Sequence, residues 1–264
     1  MGAAELEIGP VAVRHATVLD HRQAMSHSLR RIAIVGLLLV AALCVRLGLW
    51  QLHRLSERRA ANQAALAARA EPPLRLAAGA DWTAEELSGR WVEARGVYDR
   101  THEVVLRGQA LDGSPGVHLV TPLRLEGSDS AVLVLRGFVP SPDAVRVETG
   151  SLNEPGTVTV RGLAAPLGNG GGRPVEHAGR TTWARLDPDA LRGRLPYPLL
   201  PVVVRQAPDA SLPRVPQRLA PPELDDGPHL NYAIQWFLFA GMAVAFAVLV
   251  VGRSRRPGGP PPAS

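Results

Sequence analysis

Two histidines, His53 and His229, stand apart because each sits where a long apolar run meets polar sequence. His53 follows Ile32–Leu52, and His229 precedes Tyr232–Val251. If both runs are helices crossing a bilayer, the topology brings the two imidazoles to one depth. On an ideal helix His229, Tyr232, Ala233, Trp236 and Ala240 share a face through steps of three and four, as do Arg46, Trp50, His53 and Arg54. An imidazole lone pair, aromatic rings beside small residues, and arginines able to pair with carboxylates are groups that hold a haem. His229 would ligate the iron and His53 would be a second ligand. Tyr232, Trp236 and Trp50 would contact the ring, and Arg54 would meet the propionates. The same residues would also serve as ordinary interfacial anchors, and the spacing leaves both readings open.

The elements that must position these groups are the two apolar runs. At about 1.5 Å per residue, Tyr232–Val251 covers the roughly 30 Å hydrocarbon core of a bilayer. Gln235 is its only strongly polar side chain after Tyr232. Arg46 is the only charged residue in Ile32–Leu52 and lies near enough to the Trp50 end to snorkel outward. Arg30-Arg31 ahead of an apolar stretch imitate a secretory signal, but the run is too long for a signal core and no small-residue cleavage site precedes Trp50. The first run is therefore read as an uncleaved anchor. Arg30, Arg31, Arg253, Arg255 and Arg256 place both termini in the cytoplasm. The opposing flank carries Arg54, Arg58, Arg59, Arg214 and Arg218, so the margin is narrow.

Between the anchors the pattern changes. Ser56–Ala70 is rich in helix formers, which extends the first helix outward until Pro72-Pro73. Short β-branched runs bounded by Gly, Asp and Pro follow at Trp91–Val97, Glu103–Arg107, His118–Leu125, Ala131–Val139, Thr157–Ala164 and Pro201–Gln206. They predict an antiparallel barrel or sandwich. Gly168–Arg173 reads as a flexible insertion and Asp187–Arg192 as a short helix capped by Asp187. Pro208–Pro228 reads as an extended arm. The fold class is thus a membrane-anchored α+β protein: two transmembrane helices flanking an extracytoplasmic, mostly β domain. Its segments are a cytoplasmic tail (1–29), a first span (30–52), the β domain with its helical extension (53–207), the arm (208–228), a second span (229–252) and a Pro/Gly tail (253–264).

Composition removes several functions. All 29 basic residues are arginine, and they are scattered rather than massed in a stripe, which speaks against nucleic-acid binding. A single cysteine, Cys44, inside the first run, excludes an intramolecular disulfide and the paired thiols of a copper chaperone or thioredoxin-like carrier. The glycine-rich stretch lacks the lysine of a phosphate loop. No Gly-x-Ser-x-Gly, His-Glu-x-x-His or distinctive carboxylate pair appears, and His102, His118 and His177 are dispersed. An extracytoplasmic, membrane-tethered hydrolase or transferase therefore stays a lesser alternative, and the protein is expected not to be an enzyme.

Five stretches occur in order: Leu47-Gly48-Leu49-Trp50-Gln51-Leu52-His53-Arg54-Leu55, Gly96-Val97-Tyr98, Gly116-Val117-His118-Leu119-Val120-Thr121-Pro122-Leu123, Val132-Leu133-Val134-Leu135-Arg136-Gly137-Phe138-Val139-Pro140, and Gly227-Pro228-His229-Leu230-Asn231-Tyr232-Ala233-Ile234-Gln235-Trp236-Phe237. Through them the chain resembles the Surfeit locus protein 1 family of cytochrome c oxidase assembly factors. The resemblance implies a bacterial inner-membrane protein that helps load haem a into the catalytic subunit of the terminal oxidase. It also implies haem a synthase as a partner and His229 as the position of the proposed haem ligand. Leu135 and Phe138 depart from the family's Val-Asn-Arg-Gly-Trp-Val-Pro strand, and His53 lies outside its pattern. A scaffold that never touches haem fits the same resemblance.

Overall fold

Residues 11–77, 81–150, 152, 154–168, 170–177 and 180–252 are described by a computed structural model, the side chains of 11–27 and of Arg180 excepted. In chain order the elements are α1 (Val11–Ala70), β1 (Leu74–Leu76), α2 (Ala84–Leu87), β2 (Trp91–Tyr98), β3 (Val104–Leu111), β4 (Ser114–Leu125), β5 (Ala131–Pro140), β6 (Thr157–Pro166), β7 (Pro174–His177), β8 (Arg180–Trp183), α3 (Pro188–Arg192), β9 (Leu199–Gln206) and α4 (His229–Gly252). They divide into two units: Met1–Ala61 with Asp225–Ser264, and Asn62–Leu224.

In the first unit, helix α1 starts well before the apolar run. No proline falls between Pro10 and Pro72, so nothing breaks the backbone ladder, and the tail expected at 1–29 is helical from Val11. Residues 1–10 and 253–264 lie outside the described residues. Both α1 and α4 contain stretches long and apolar enough to cross a membrane, with mean hydropathy 2.6 and 2.3. The buried positions of α1, Ala41, Cys44, Gly48 and Leu55, recur in steps of three, four and seven, and those of α4 are Ala233, Ala240, Ala243 and Ala247. Small residues on both stripes let two backbones approach closely. At Gly48 the approach is tightest: a Cβ there would lie 2.7 Å from the Phe237 ring.

The second unit is a closed barrel. Five strands form the ring β2–β6–β9–β5–β4, and β4 returns to β2 through Gly96–Tyr98 and Leu123–Leu125. Taken by their order in the chain, the ring strands run 1-2-3-5-4 with the third and fifth parallel, the connectivity of an OB-type barrel. Strand β1 extends the sheet beyond β2, while β3, β8 and β7 extend it beyond β4.

All six predicted strands occur, but the expectation of purely antiparallel pairing is corrected by the parallel pairs β5·β9, β1·β2 and β3·β8. Strand β5 is buried on both faces, which explains the apolar run Ala131–Leu135 ahead of Arg136. Val132 and Val134 face the barrel interior with Val92, Leu123, Val160 and Val204. Leu133 and Leu135 pack outside it against Trp183, Leu191 and Val104. Three short strands, β1, β7 and β8, escaped the sequence reading because they are only three or four residues long. In the glycine-rich stretch, Gly172 serves a close approach rather than looseness: a Cβ there would lie 1.9 Å from the Arg185 carbonyl oxygen. Asp187 caps α3 as expected and also accepts the Gly171 amide at 2.9 Å.

The arm is stitched to the barrel by two backbone hydrogen bonds between Phe138 and Gln217, of 2.8 and 2.7 Å. Gly137, at φ +142°, lies where a Cβ would come within 2.3 Å of the Gln217 oxygen, so no side chain fits under the arm.

Candidate functional site

The start of α4 carries the most developed polar site in the first unit. Gly227, at φ +68°, turns the chain into Pro228, and the Pro228 carbonyl accepts the Tyr232 amide at 3.1 Å as the first helical bond. Asp225 accepts the Gly227 amide at 3.1 Å, just ahead of the helix, and Asp226 pairs with Arg59 at 2.8 Å. Arg58 donates to the Asp225 carbonyl at 3.1 Å. These contacts hold the chain entering α4 alongside α1.

His229 is half-buried on the α4 stripe that faces α1, and its Nδ1 lies 2.9 Å from Gln51 Oε1. An amide oxygen only accepts, so Nδ1 is the donor of this contact, and a ring carrying that one proton keeps its lone pair on Nε2. That is the arrangement of a ligating imidazole, whose second nitrogen is held by an outer partner that fixes tautomer and orientation. Gly227 keeps the Nε2 edge clear: a Cβ there would stand 3.6 Å from Nε2. Nothing in the haem-like spacing of the sequence marks Gln51. Its helical spacing from Ala41, Cys44 and Gly48 was the signal that could have found it.

The remaining expected site residues divide. Trp236 is half-buried near His229 on the same stripe and stacks edge-on with Phe239 at 5.9 Å, while Tyr232 stands at the stripe's edge, 49% exposed. Trp50 and His53 are not brought to His229. With Arg46 they share one face of α1, as the spacing predicts, but at 100° per residue it lies about 175° around the axis from the buried stripe. His53 Nε2 pairs instead with Glu57 at 3.2 Å, and Arg54 donates to the same carboxylate at 2.7 Å. One imidazole with a free lone pair therefore fits an iron ligand on an open surface. The second-ligand role for His53 and the propionate role for Arg54 find no support in this packing.

Two further clusters lie in the second unit. Arg136, buried on β5, donates to Glu103 at 3.3 Å, to Glu154 at 2.8 Å and to the Leu152 carbonyl at 2.6 Å. Arg218 from the arm reaches the same Glu154 oxygen at 2.6 Å, and the Pro213 and Pro216 carbonyls. Tyr98 lies against the Arg136 guanidinium at 4.9 Å, and burial pushes its phenol above the ordinary value. Nothing in the sequence pattern marked this network, because its members are scattered from 98 to 218.

The second cluster joins Asp99 to His102 Nδ1 at 2.8 Å and to the Tyr197 hydroxyl at 2.7 Å, beside a cavity of 300 Å³. Burial alone would raise the Asp99 carboxyl, but hydrogen bonds from Tyr197 and His102 outweigh it and hold the group below its ordinary value. The pair has the form of a base and its orienting acid. Among the described residues, no hydroxyl or thiol is hydrogen-bonded to His102. No group of three or more metal-binding side chains occurs among the described residues.

A model of the SURF1 family matches residues 38–241, from within the apolar part of α1, through the whole barrel and arm, to the middle of α4. No curated protein matches the chain.

Proposed function

The chain belongs to the SURF1 family, a family linked to cytochrome oxidase assembly and generally non-enzymatic, and on that premise we propose that it is a membrane-anchored assembly factor presenting haem a to the oxidase. In this reading α1 and α4 span a bacterial inner membrane, both termini are cytoplasmic and the barrel lies outside. Haem a synthase supplies the cargo and the catalytic subunit of the oxidase receives it. The observation that carries the reading is the His229–Gln51 pair at 2.9 Å, which readies Nε2 at the mouth of an apolar hairpin.

Haem a, when present, would supply the iron that takes the Nε2 lone pair. Gln51 holds the tautomer, Trp236 and Tyr232 offer ring surface, and Gly227 leaves the approach open. A single ligand on an open surface suits release as much as capture, which a delivery step requires.

The test is the visible spectrum of full-length protein purified from cells that make haem a. A Soret band lost in His229→Ala and reduced about tenfold or more in occupancy by Gln51→Leu is expected, since outer partners of ligating histidines typically contribute 10–100-fold in affinity. A band indifferent to both substitutions refutes the site. If no band appears while a deletion strain loses oxidase activity, the protein acts as a scaffold without haem. A deletion strain with normal haem a content and oxidase activity would sink the assembly role itself.

A further inference from the structure

We propose that the face of α1 turned away from α4 docks a membrane-spanning helix of the oxidase subunit the protein serves, with a carboxylate on that helix paired to Arg46. The inference rests on the assembly-factor reading above.

Leu39, Leu43, Arg46, Trp50 and His53 follow one another in steps of four, three, four and three, a straight stripe on a helix. All five are exposed, Leu39 by 66%, Leu43 by 55% and Trp50 by 53%. Nothing in the hairpin covers this stripe, because α4 is seated on Ala41, Cys44, Gly48 and Gln51, on the far side of the same helix. On α1, Arg30, Arg54, Arg58 and Arg59 each have a carbonyl or carboxylate partner. Arg46 has no hydrogen bond or ion pair among the described residues.

Depth makes that isolation costly. Arg46 lies six residues before Leu52, which at 1.5 Å per residue is about 9 Å inside the end of the apolar run. The outward snorkelling expected from the nearness of Arg46 to Trp50 is opposed by helix geometry: Cα–Cβ bonds lean toward the N-terminus, so the side chain starts out directed deeper. A charge at such depth is normally paired or faces a protein interior.

The possible partners narrow quickly. A second copy of this chain cannot supply the counter-charge, because neither 32–52 nor 229–252 contains Asp or Glu. A cargo held at His229 sits on the opposite side of α1, away from Arg46. Lipid phosphates lie at the headgroup level, in the direction the side chain is least able to reach. A helix bearing an intramembrane carboxylate, with apolar neighbours to meet Leu39 and Leu43, satisfies both the charge and the stripe.

A photo-crosslinking residue at Leu43 of the full-length protein, in membranes of cells making the oxidase, tests this. The expected adduct is with an oxidase membrane subunit, at a span that contains Asp or Glu. It should fall roughly threefold to twentyfold in Arg46→Leu, the range set by polar contacts inside membranes, and persist in Arg46→Lys. Arg46→Glu should lose it and regain it when the partner's acidic residue is changed to arginine. Lipid adducts alone at Leu43, or a protein adduct indifferent to Arg46→Leu at equal protein level, overturn the proposal. Oxidase maturation in a deletion strain is read separately. Normal maturation refutes the assembly role, whereas defective maturation with crosslinking independent of Arg46 refutes only the docking face.

Discussion

Replacing Arg136 by methionine should destabilise the barrel by about 3–5 kcal/mol, the range for stranding a buried charge. The structure says where that cost falls. The Arg136 side chain is 1% exposed, and those of its partners Glu103 and Glu154 are 4% and 10% exposed. Without the guanidinium, Glu154 still has Arg218 at 2.6 Å, but Glu103 keeps only the Thr121 hydroxyl at 2.7 Å. The uncompensated charge is therefore that of Glu103. Adding Glu103→Gln, which removes the charge and nearly keeps the shape, should recover more than half of the loss. Arg218→Met should cost less than Arg136→Met, because Glu154 then retains Arg136. Pulse proteolysis of the detergent-solubilised full chain across a urea series measures this directly. With a slope of about 2 kcal/mol per molar, the midpoint for Arg136→Met should fall by roughly 2 M. A shift below about 0.5 M, or a Glu103→Gln addition that deepens the loss, would show that the network does not behave as a charge-compensated unit.

Three further outcomes are expected. One alanine inserted between Pro228 and His229 turns the α4 face by about 100° relative to the Arg59–Asp226 tether and parts His229 from Gln51, so oxidase activity should fall at unchanged protein level; equal loss of abundance would assign the junction to folding instead. Gly48→Leu drives a side chain into the Phe237 ring and should separate the helices, read as loss of a disulfide engineered between α1 and α4, whereas Gly36→Leu, at a position with nothing near it, should have no effect. Asp143 is held down to about 2 by the Arg146 amide, the Ser141 hydroxyl and the Val145 amide. A depressed carboxyl stabilises the fold above its ordinary value of about 4 and loses that contribution as pH falls toward 2, so Asp143→Asn should flatten the acid limb of a stability–pH profile; an unchanged limb would refute the assignment.

Much of the architecture was legible because it rests on local chemistry. The two apolar runs announce themselves by length, and the proline-free stretch before Pro72 carries α1 through to Ala70. Strand β5 could be read from its own residues, since burial on both faces favours the continuous apolar run Ala131–Leu135. Strands β7 and β8 could not, because each is only four residues long and they join the sheet only where β8 pairs with β3. The glycines at 168–173 looked like slack, yet Gly172 is required by a carbonyl contributed from thirteen residues later, at Arg185.

For the candidate site the division is sharper. That His229 and Trp236 share a face was readable from spacing, since one helix fixes which residues do so. Which face of α1 meets that stripe was not readable, because α1 carries both a small-residue stripe and an aromatic, basic one, and either could line a hairpin. Spacing by itself favoured Trp50, His53 and Arg54 as the chemically richer side. Packing chose Ala41, Cys44, Gly48 and Gln51, since only small side chains let two helices close to contact, and so it gave His229 a glutamine for a partner and left Arg46 on the opposite surface.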